Sequence, residues 1–161
     1  LISMKEIRYI YSKGKFSDVT ICPVTYVPDF FQLEIDLESE VFYELRKKNG
    51  ITPFALKDST PSEFEEIKQF FFNNSSSFFF LFDGEDRTEE NLIGSILLLG
   101  NYIQCLAVAS KYQRKGYGEQ LVKYGVNHAL SQGHKTVELT LIEGNTRAQA
   151  LYTKLGFTVK D

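Results

Sequence analysis

Tryptophan is absent from this sequence, methionine occurs once, and cysteine and histidine occur twice each. Cys22 and Cys105 have no metal-ligand spacing, and His128 and His134 do not supply a His-rich zinc site. No metal is therefore expected. A basic excess is also lacking, with 18 Lys and Arg against 21 Asp and Glu and a net charge of −3. Nucleic-acid binders carry a basic patch or stripe, so no nucleic-acid partner is expected. The longest run of Leu, Ile, Val or Phe is Phe78–Phe82, whereas about 18 apolar residues are needed to cross a bilayer. The opening LISMKEIRYIY has no apolar core of a secretory leader, and Leu1 to Ser3 carry no weight in the reading. A cytoplasmic location with reduced thiols, away from membranes, is the expectation. Proline is confined to positions 23, 28, 53 and 61, so the last hundred residues are free of that helix and strand breaker.

What remains is ordinary for a folded domain: 43% hydrophobic and 24% charged residues. The length of 161 residues predicts a single domain over positions 1–161. Loose alternation at 5–11 and 18–22, with SKGK between, predicts a hairpin. Apolar residues at helical spacing predict one helix from Asp29 to Lys48, with basic residues at its end matching the helix dipole. A second helix follows from Pro61 to Phe72, with Thr60 and Glu63 as a capping box. Strands are predicted at Phe78–Phe82, Leu92–Leu99 and Tyr102–Val108, the last apolar on both faces at its end and so central and buried. Helix 118–132, strand 136–142, helix 145–155 and a short strand from Phe157 complete a mixed sheet with helices packed on it.

The segment after Val108 carries the most chemistry. A strand ends there, a polar loop follows, and Gly116 and Gly118 open an amphipathic helix. The first turn of a helix has N–H groups without partners, and with the dipole they form an anion site. Lys111, Arg114 and Lys115 add positive charge. The Walker pattern is absent, and Leu121 stands where a dinucleotide fingerprint needs its third glycine. Loop chemistry alone leaves open a tight strand-to-helix turn with solvated bases.

A second constellation lies downstream. Asn145 is a good helix N-cap. Seven residues of helix return to within about 20° of the starting direction, so Asn145 and Tyr152 share a face with Ala148 between them. Gly156 can end that helix in the left-handed conformation and let Phe157 pack back toward Tyr152. Spacing alone is equally consistent with a capped helix bearing a half-buried tyrosine.

Gln113-Arg-Lys-Gly116-Tyr-Gly118 resembles the Q/R-x-x-G-x-G/A signature of the GNAT N-acetyltransferase superfamily. Asn145-Thr-Arg-Ala148-Gln-Ala-Leu151-Tyr152-Thr-Lys-Leu-Gly156-Phe157 is similar to its second signature, N-x-x-A-x-x-L-Y-x-x-x-G-F. The resemblance implies a mixed, mostly antiparallel twisted sheet flanked by helices, with a splayed central strand pair that binds acyl-CoA. It implies that Gln113, Arg114, Lys115, Gly116, Tyr117 and Gly118 line the coenzyme A pyrophosphate. The strand of Leu106, Ala107 and Val108 would lie along the pantetheine arm, with the backbone of Leu106 and Val108 pairing to it. Asn145 would contact the pantetheine region and Tyr152 would act as general acid toward sulfur. Glu119 suits a helix start but would repel phosphate, so its side chain is expected to point away.

Acyl transfer to an amine also needs a base. An amine of pKa ~10.4 costs about 4.6 kcal/mol to present neutral at pH 7. Relatives that modify ribosomal protein N-termini carry a glutamate five residues before the motif asparagine, where this chain has Thr140. Histone-type relatives place theirs near the start of the central strand, where this chain has Tyr102. Glu138, two residues before Thr140 and on the same strand face, and Tyr102 are the two candidates for base or water organiser. Asp29, Glu34, Asp36, Glu38, Glu40 and Glu44 read as a solvated helix face, in a region that shapes the acceptor site in the family. Cys105 reads as a buried small hydrophobe without a base beside it, which favours direct attack in a ternary complex over an acyl-cysteine intermediate.

The resemblance therefore implies an N-acyltransferase using acetyl-CoA or another short acyl-CoA, with an amine on a small molecule or peptide as acceptor. A non-catalytic coenzyme A sensor on the same fold, and a binding module without nucleotide, are the alternatives. The family continues past Gly-Phe with a long strand, and here only four residues follow Phe157. An open edge there, pairing with a second copy, is the expectation.

Overall fold

The computed structural model describes residues 5–161; the first four positions of the stretch read for a leader, and of the predicted domain, lie outside the described residues. Seven strands form one sheet: β1 (Glu6–Tyr11), β2 (Val24–Thr25), β3 (Phe78–Phe82), β4 (Leu92–Leu99), β5 (Tyr102–Val108), β6 (Val137–Ile142) and β7 (Thr158–Val159), in the order β2-β3-β4-β5-β6-β1-β7. Every neighbouring pair is antiparallel except β5 and β6, which run parallel. Among the described residues five α-helices flank it: α1 (Phe31–Val41), α2 (Tyr43–Lys48), α3 (Pro61–Asn73), α4 (Tyr117–Ser131) and α5 (Thr146–Leu155). This is the mixed, mostly antiparallel sheet with flanking helices expected from the sequence.

Two apolar cores lie on the two sides of the sheet. One joins Phe30, Ile35 and Leu37 to Phe71, Phe78, Phe80 and Leu97. The other joins Leu121, Val122 and Val126 to Ile96, Leu98, Tyr152 and Phe157. Phe78, Phe80 and Ile96 are fully buried, which is how an unbroken run such as Phe78–Phe82 can be accommodated with both faces covered. The capping box of α3 forms as predicted, with the Glu63 amide donating to Thr60 Oγ1 (3.2 Å) and the Thr60 amide to Glu63 Oε1 (2.8 Å).

Two expectations are corrected. The hairpin of 5–11 with 18–22 does not form. β1 instead pairs with β6 over six positions, from Glu6 opposite Ile142 to Tyr11 opposite Val137. Residues 12–23 cross α4 as an irregular strap, and side chains of that helix satisfy its backbone. Asn127 exchanges hydrogen bonds with the amide and carbonyl of Phe16 (2.8 Å each), and Gln120 Oε1 accepts from the Thr20 amide (2.7 Å). The single helix from Asp29 to Lys48 is broken at Phe42, whose backbone (φ −103°, ψ 3°) separates α1 from α2. The edge beyond Phe157 is formed by β7, which ends the strand order, so among the described residues no strand covers its outer side. The flank of β6 is taken by β1, and β7 closes on β1 through Val159 and Thr158.

A splayed strand pair and its two cavities

The sheet is continuous on one side of β5 and nearly open on the other. β5 matches β4 at six register positions, but it meets β6 at one, Tyr102 opposite Glu138. Beyond that contact the strands diverge toward their C-terminal ends. The central strand is accordingly less buried than the sequence predicts: Gln104 is exposed, and Cys105 and Leu106 are half-buried. The Ala109 amide donates to the Ile93 carbonyl (2.8 Å). Antiparallel ladders alternate, so Ala107 and Cys105 bond toward β4, while Leu106 and Val108 turn their amides and carbonyls toward the opening. Ala107 is thus a core residue, 1% exposed, and not part of a lining, contrary to the expectation for all of 106–108.

Two cavities occupy the divergence. The upper, of about 340 Å³, is lined by Leu106, Val108, Gln113, Arg114, Gly116 and Gly118, with Asn145, Ala148 and Leu151 opposite. Arg114 (φ 62°) and Gly116 (φ 87°) are both left-handed, which curls the loop back over the helix start. No side chain caps α4 among the described residues. Its first hydrogen bond is from the Gln120 amide to the Gly116 carbonyl (3.1 Å), so the amides of residues 117–119 precede the ladder and face outward. Gln113 ties the loop down. Its Nε2 donates to the Val108 carbonyl (2.9 Å) and its Oε1 accepts from Arg147 Nη1 (2.9 Å). Arg147, a cation beside the loop, was not singled out from the sequence; its place two residues after the helix cap was the available signal. Lys115 and Lys111 lie over the Tyr112 ring, and the ring of Tyr117 meets Tyr112 edge-on at 6.0 Å. Glu119 is held by Lys154 (2.9 Å) and Lys123 (3.2 Å), and the Lys154 hydrogen bond, the largest influence, pulls its carboxyl below the usual range.

The lower cavity, of about 370 Å³, passes between β5 and β6 toward α1 and α2. Asn145, Ala148 and Leu151 line both cavities, so the two adjoin along α5. Asn145 caps that helix, accepting from the Ala148 amide at 3.4 Å. Tyr152 lines the lower cavity and is 4% exposed, its ring packed edge-on against Phe157 at 5.3 Å. Burial, and then the neighbouring Cys105, push its phenol well above the ordinary value. A phenol so raised keeps its proton at neutral pH and has it available to donate.

Neither candidate base lines this cavity. Tyr102 and Glu138 form the one contact that closes the splay, at the opposite end of the strands from the anion loop. Glu138 accepts from Arg8 (2.8 Å) and Lys160 (2.9 Å), and these cations, Lys160 first, hold its carboxyl below the usual range. Both residues are staples of the closed end. The acid that does line the cavity is Glu38, from the helix face read as solvated. Glu34, one turn before it, is fully buried, and its Oε1 accepts from Ser95 Oγ at 2.6 Å. The periodic signal was present, since 34 and 38 share a helical face with the apolar Ile35 and Leu37 stripe beside them, but acids on an early helix turn are usually solvated.

Comparisons with known proteins bear on family and fold. A profile of the Acetyltransferase (GNAT) family matches residues 35–157. Over 59 residues the chain is 41% identical to a mycothiol acetyltransferase of Corynebacterium glutamicum, which covers 37% of this chain and 20% of that protein. A mycothiol acetyltransferase of Corynebacterium efficiens is 39% identical over 59 residues, with the same coverage. The match thus spans about a fifth of the length of these curated relatives. Among solved structures, a GNAT-family acetyltransferase from Colwellia psychrerythraea superposes with a TM-score of 0.67 at 14% identity, over 98% of this chain and 54% of that one. A chain of the NatC complex bound to Gag peptide and CoA superposes with a TM-score of 0.62 at 19% identity, over 88% of this chain and 86% of that one. At these identities the structural likeness speaks for the fold.

Proposed function

The chain belongs to the acetyltransferase (GNAT) family, and from that premise we propose that it transfers an acetyl group from acetyl-CoA directly to an amine. The observation that carries this reading is that the two cavities adjoin along α5, with an anion loop at one end and a buried, protonated tyrosine at the other. The outward amides of 117–119, with Arg114 and Arg147, suit a diphosphate. Leu106 and Val108 offer free strand positions to an extended amide-bearing arm, an added-strand mode of binding. Gln113 already occupies the Val108 carbonyl, which leaves the Leu106 amide and carbonyl and the Val108 amide for the arm.

At the lower end the amine's lone pair forms the bond to the acyl carbon, and the carbon–sulfur bond breaks. A thiolate of pKa about 8.5 is the leaving group. Tyr152 donates a hydrogen bond to the charge developing on sulfur, a contribution made only as the bond breaks. Full transfer of its proton is uphill, more so with the phenol pushed upward by burial. Cys105 is a poor acyl carrier, because burial, then Glu38 and Glu34, hold its thiol well above the ordinary value. Direct attack fits that environment.

The test is calorimetric titration with coenzyme A together with release of free thiol from acetyl-CoA over a panel of aryl-alkylamines, polyamines, amino acids and peptide N-termini. Binding with thiol release supports the enzyme. Binding without release across the panel favours a non-catalytic coenzyme A sensor, and no binding overturns both.

A further inference from the structure

Beside Glu38, outside the lining of the lower cavity, sits a second acid that the acyltransfer reading leaves without a task. Glu34 is 0% exposed, and its Oε2 has no hydrogen-bond partner among the described residues. An unpaired buried carboxylate oxygen is costly. Its neighbours are the Glu38 carboxyl and the Cys105 thiol, with one oxygen from each acid and the sulfur all within 4.8 Å of one another. Two carboxylates side by side have no donor between them. With one proton they do, and the orphaned oxygen is satisfied. Burial is the first cause, and the Glu38 charge the second, that hold Glu34 well above the usual carboxylate range, so Glu34 is the member that keeps the proton. Glu34 accepts from Ser95 through Oε1, and of the two acids only Glu38 lines the cavity.

We propose that the Glu34–Glu38 pair, carrying one shared proton, is the proton acceptor for the incoming amine, with Glu38 the catalytic residue and Glu34 its positioning partner. This rests on the acyltransfer reading. The single negative charge meets the substrate's ammonium in the cavity. A proton passes from ammonium to Glu38, and the amine nitrogen forms the amide bond as the carbon–sulfur bond breaks. The nitrogen's second proton neutralises the departing thiolate through the Tyr152 side, and Glu38 returns its proton to water. The other polar and charged groups around the pair and in the cavity it borders include Ser95 on β4, Gln104 and Cys105 on β5, Tyr26 beside β2, Arg46 on α2, Thr140 on β6, and Asn145 and Tyr152 at α5. Arg46 is turned to the Pro53 carbonyl (2.7 Å), and Lys57, in the turn packed on α1, meets Ser39 through its backbone amide (2.9 Å).

The experiment compares wild type, E38Q, E34L and E34Q for coenzyme A binding, melting temperature and the pH profile of kcat/KM in thiol release over the amine panel. E38Q is expected to bind coenzyme A normally and to lose about a hundredfold or more in kcat. E34L removes the donor facing Glu38, and the acid limb of the profile is expected to move up by about one pH unit. E34Q, which keeps a donor there, is expected to bring the limb back. If wild type releases thiol and E38Q matches it, the inference falls while the enzyme reading stands. It falls equally if E34L lowers the melting temperature and leaves the limb in place. If wild type releases no thiol with any amine, the acyltransfer reading falls first and the acceptor role goes with it.

Discussion

The two edges of β5 do opposite jobs. Toward β4 it is sealed, with six register positions and a glycine, Gly94, letting the strands close. Toward β6 it is held by one contact and then released. The sealed edge supplies rigidity and the released edge supplies unused backbone. A strand can present hydrogen-bonding groups to a ligand only if something else fixes its position, and here that is the neighbour on its other side. The contrast teaches that the cleft is a product of asymmetric pairing, not of a loop or a hinge.

The comparison breaks most severely at Gly94. A Cβ built there would stand 2.5 Å from the Ala107 carbonyl oxygen and 3.2 Å from the Val108 Cα. Both are backbone atoms that cannot step aside. Gly94→Val is expected to cost about 3 kcal/mol or more and to lower the urea midpoint accordingly. Next comes the released edge. Tyr152→Phe keeps the ring in its packing with Phe157 and removes only the hydroxyl. Turnover should fall about tenfold to a hundredfold, with coenzyme A affinity and melting temperature held; unchanged thiol release would remove Tyr152 from the reaction. Arg147→Ala sharpens the contrast at the upper cavity by freeing Gln113 and removing a cation. Calorimetry should show coenzyme A bound about threefold to tenfold more weakly, with little change in kcat. The smallest effect belongs to the closed end. Glu138→Gln loses two bridges whose cations are largely exposed, so about 0.5 kcal/mol is expected at neutral pH. Its carboxyl is held below the usual range by Lys160 and Arg8. The stabilisation is therefore complete above the unfolded value near 4.3 and is lost as pH falls through the lower folded value. Urea midpoints of wild type and variant should accordingly converge in acid.

Legibility from sequence followed the range of the interactions involved. The cap of α3, the Asn145 cap, the left-handed Gly156 (φ 102°) and the return of Phe157 onto Tyr152 are local, and their residues announce them. The loop of Gln113–Gly118 is local too, and its motif, with the second one along α5, marks the family. The partner of β1 was hidden, because alternation at 5–11 says that a strand exists but not which edge it joins. Residues 18–22 alternate equally well, yet Gln120 takes the Thr20 amide and the Asp18 carbonyl from a hundred or more positions away. Glu34 and Glu38 were hidden for a related reason. Their spacing puts them on one face, but only the sheet beneath decides whether that face is wet.

The pairing of β1 has a temporal consequence. Its contact with β6 links residues 130 positions apart, as in Arg8 with Glu138. During synthesis, residues 6–11 leave the ribosome long before 137–142 exist. The wall of the cleft opposite β5 is therefore backed only once residues 137–142 have been made. A nascent or truncated product ending before residue 136 carries an orphan strand seeking a partner, and chaperone dependence or exchange between copies would be concentrated at that stage.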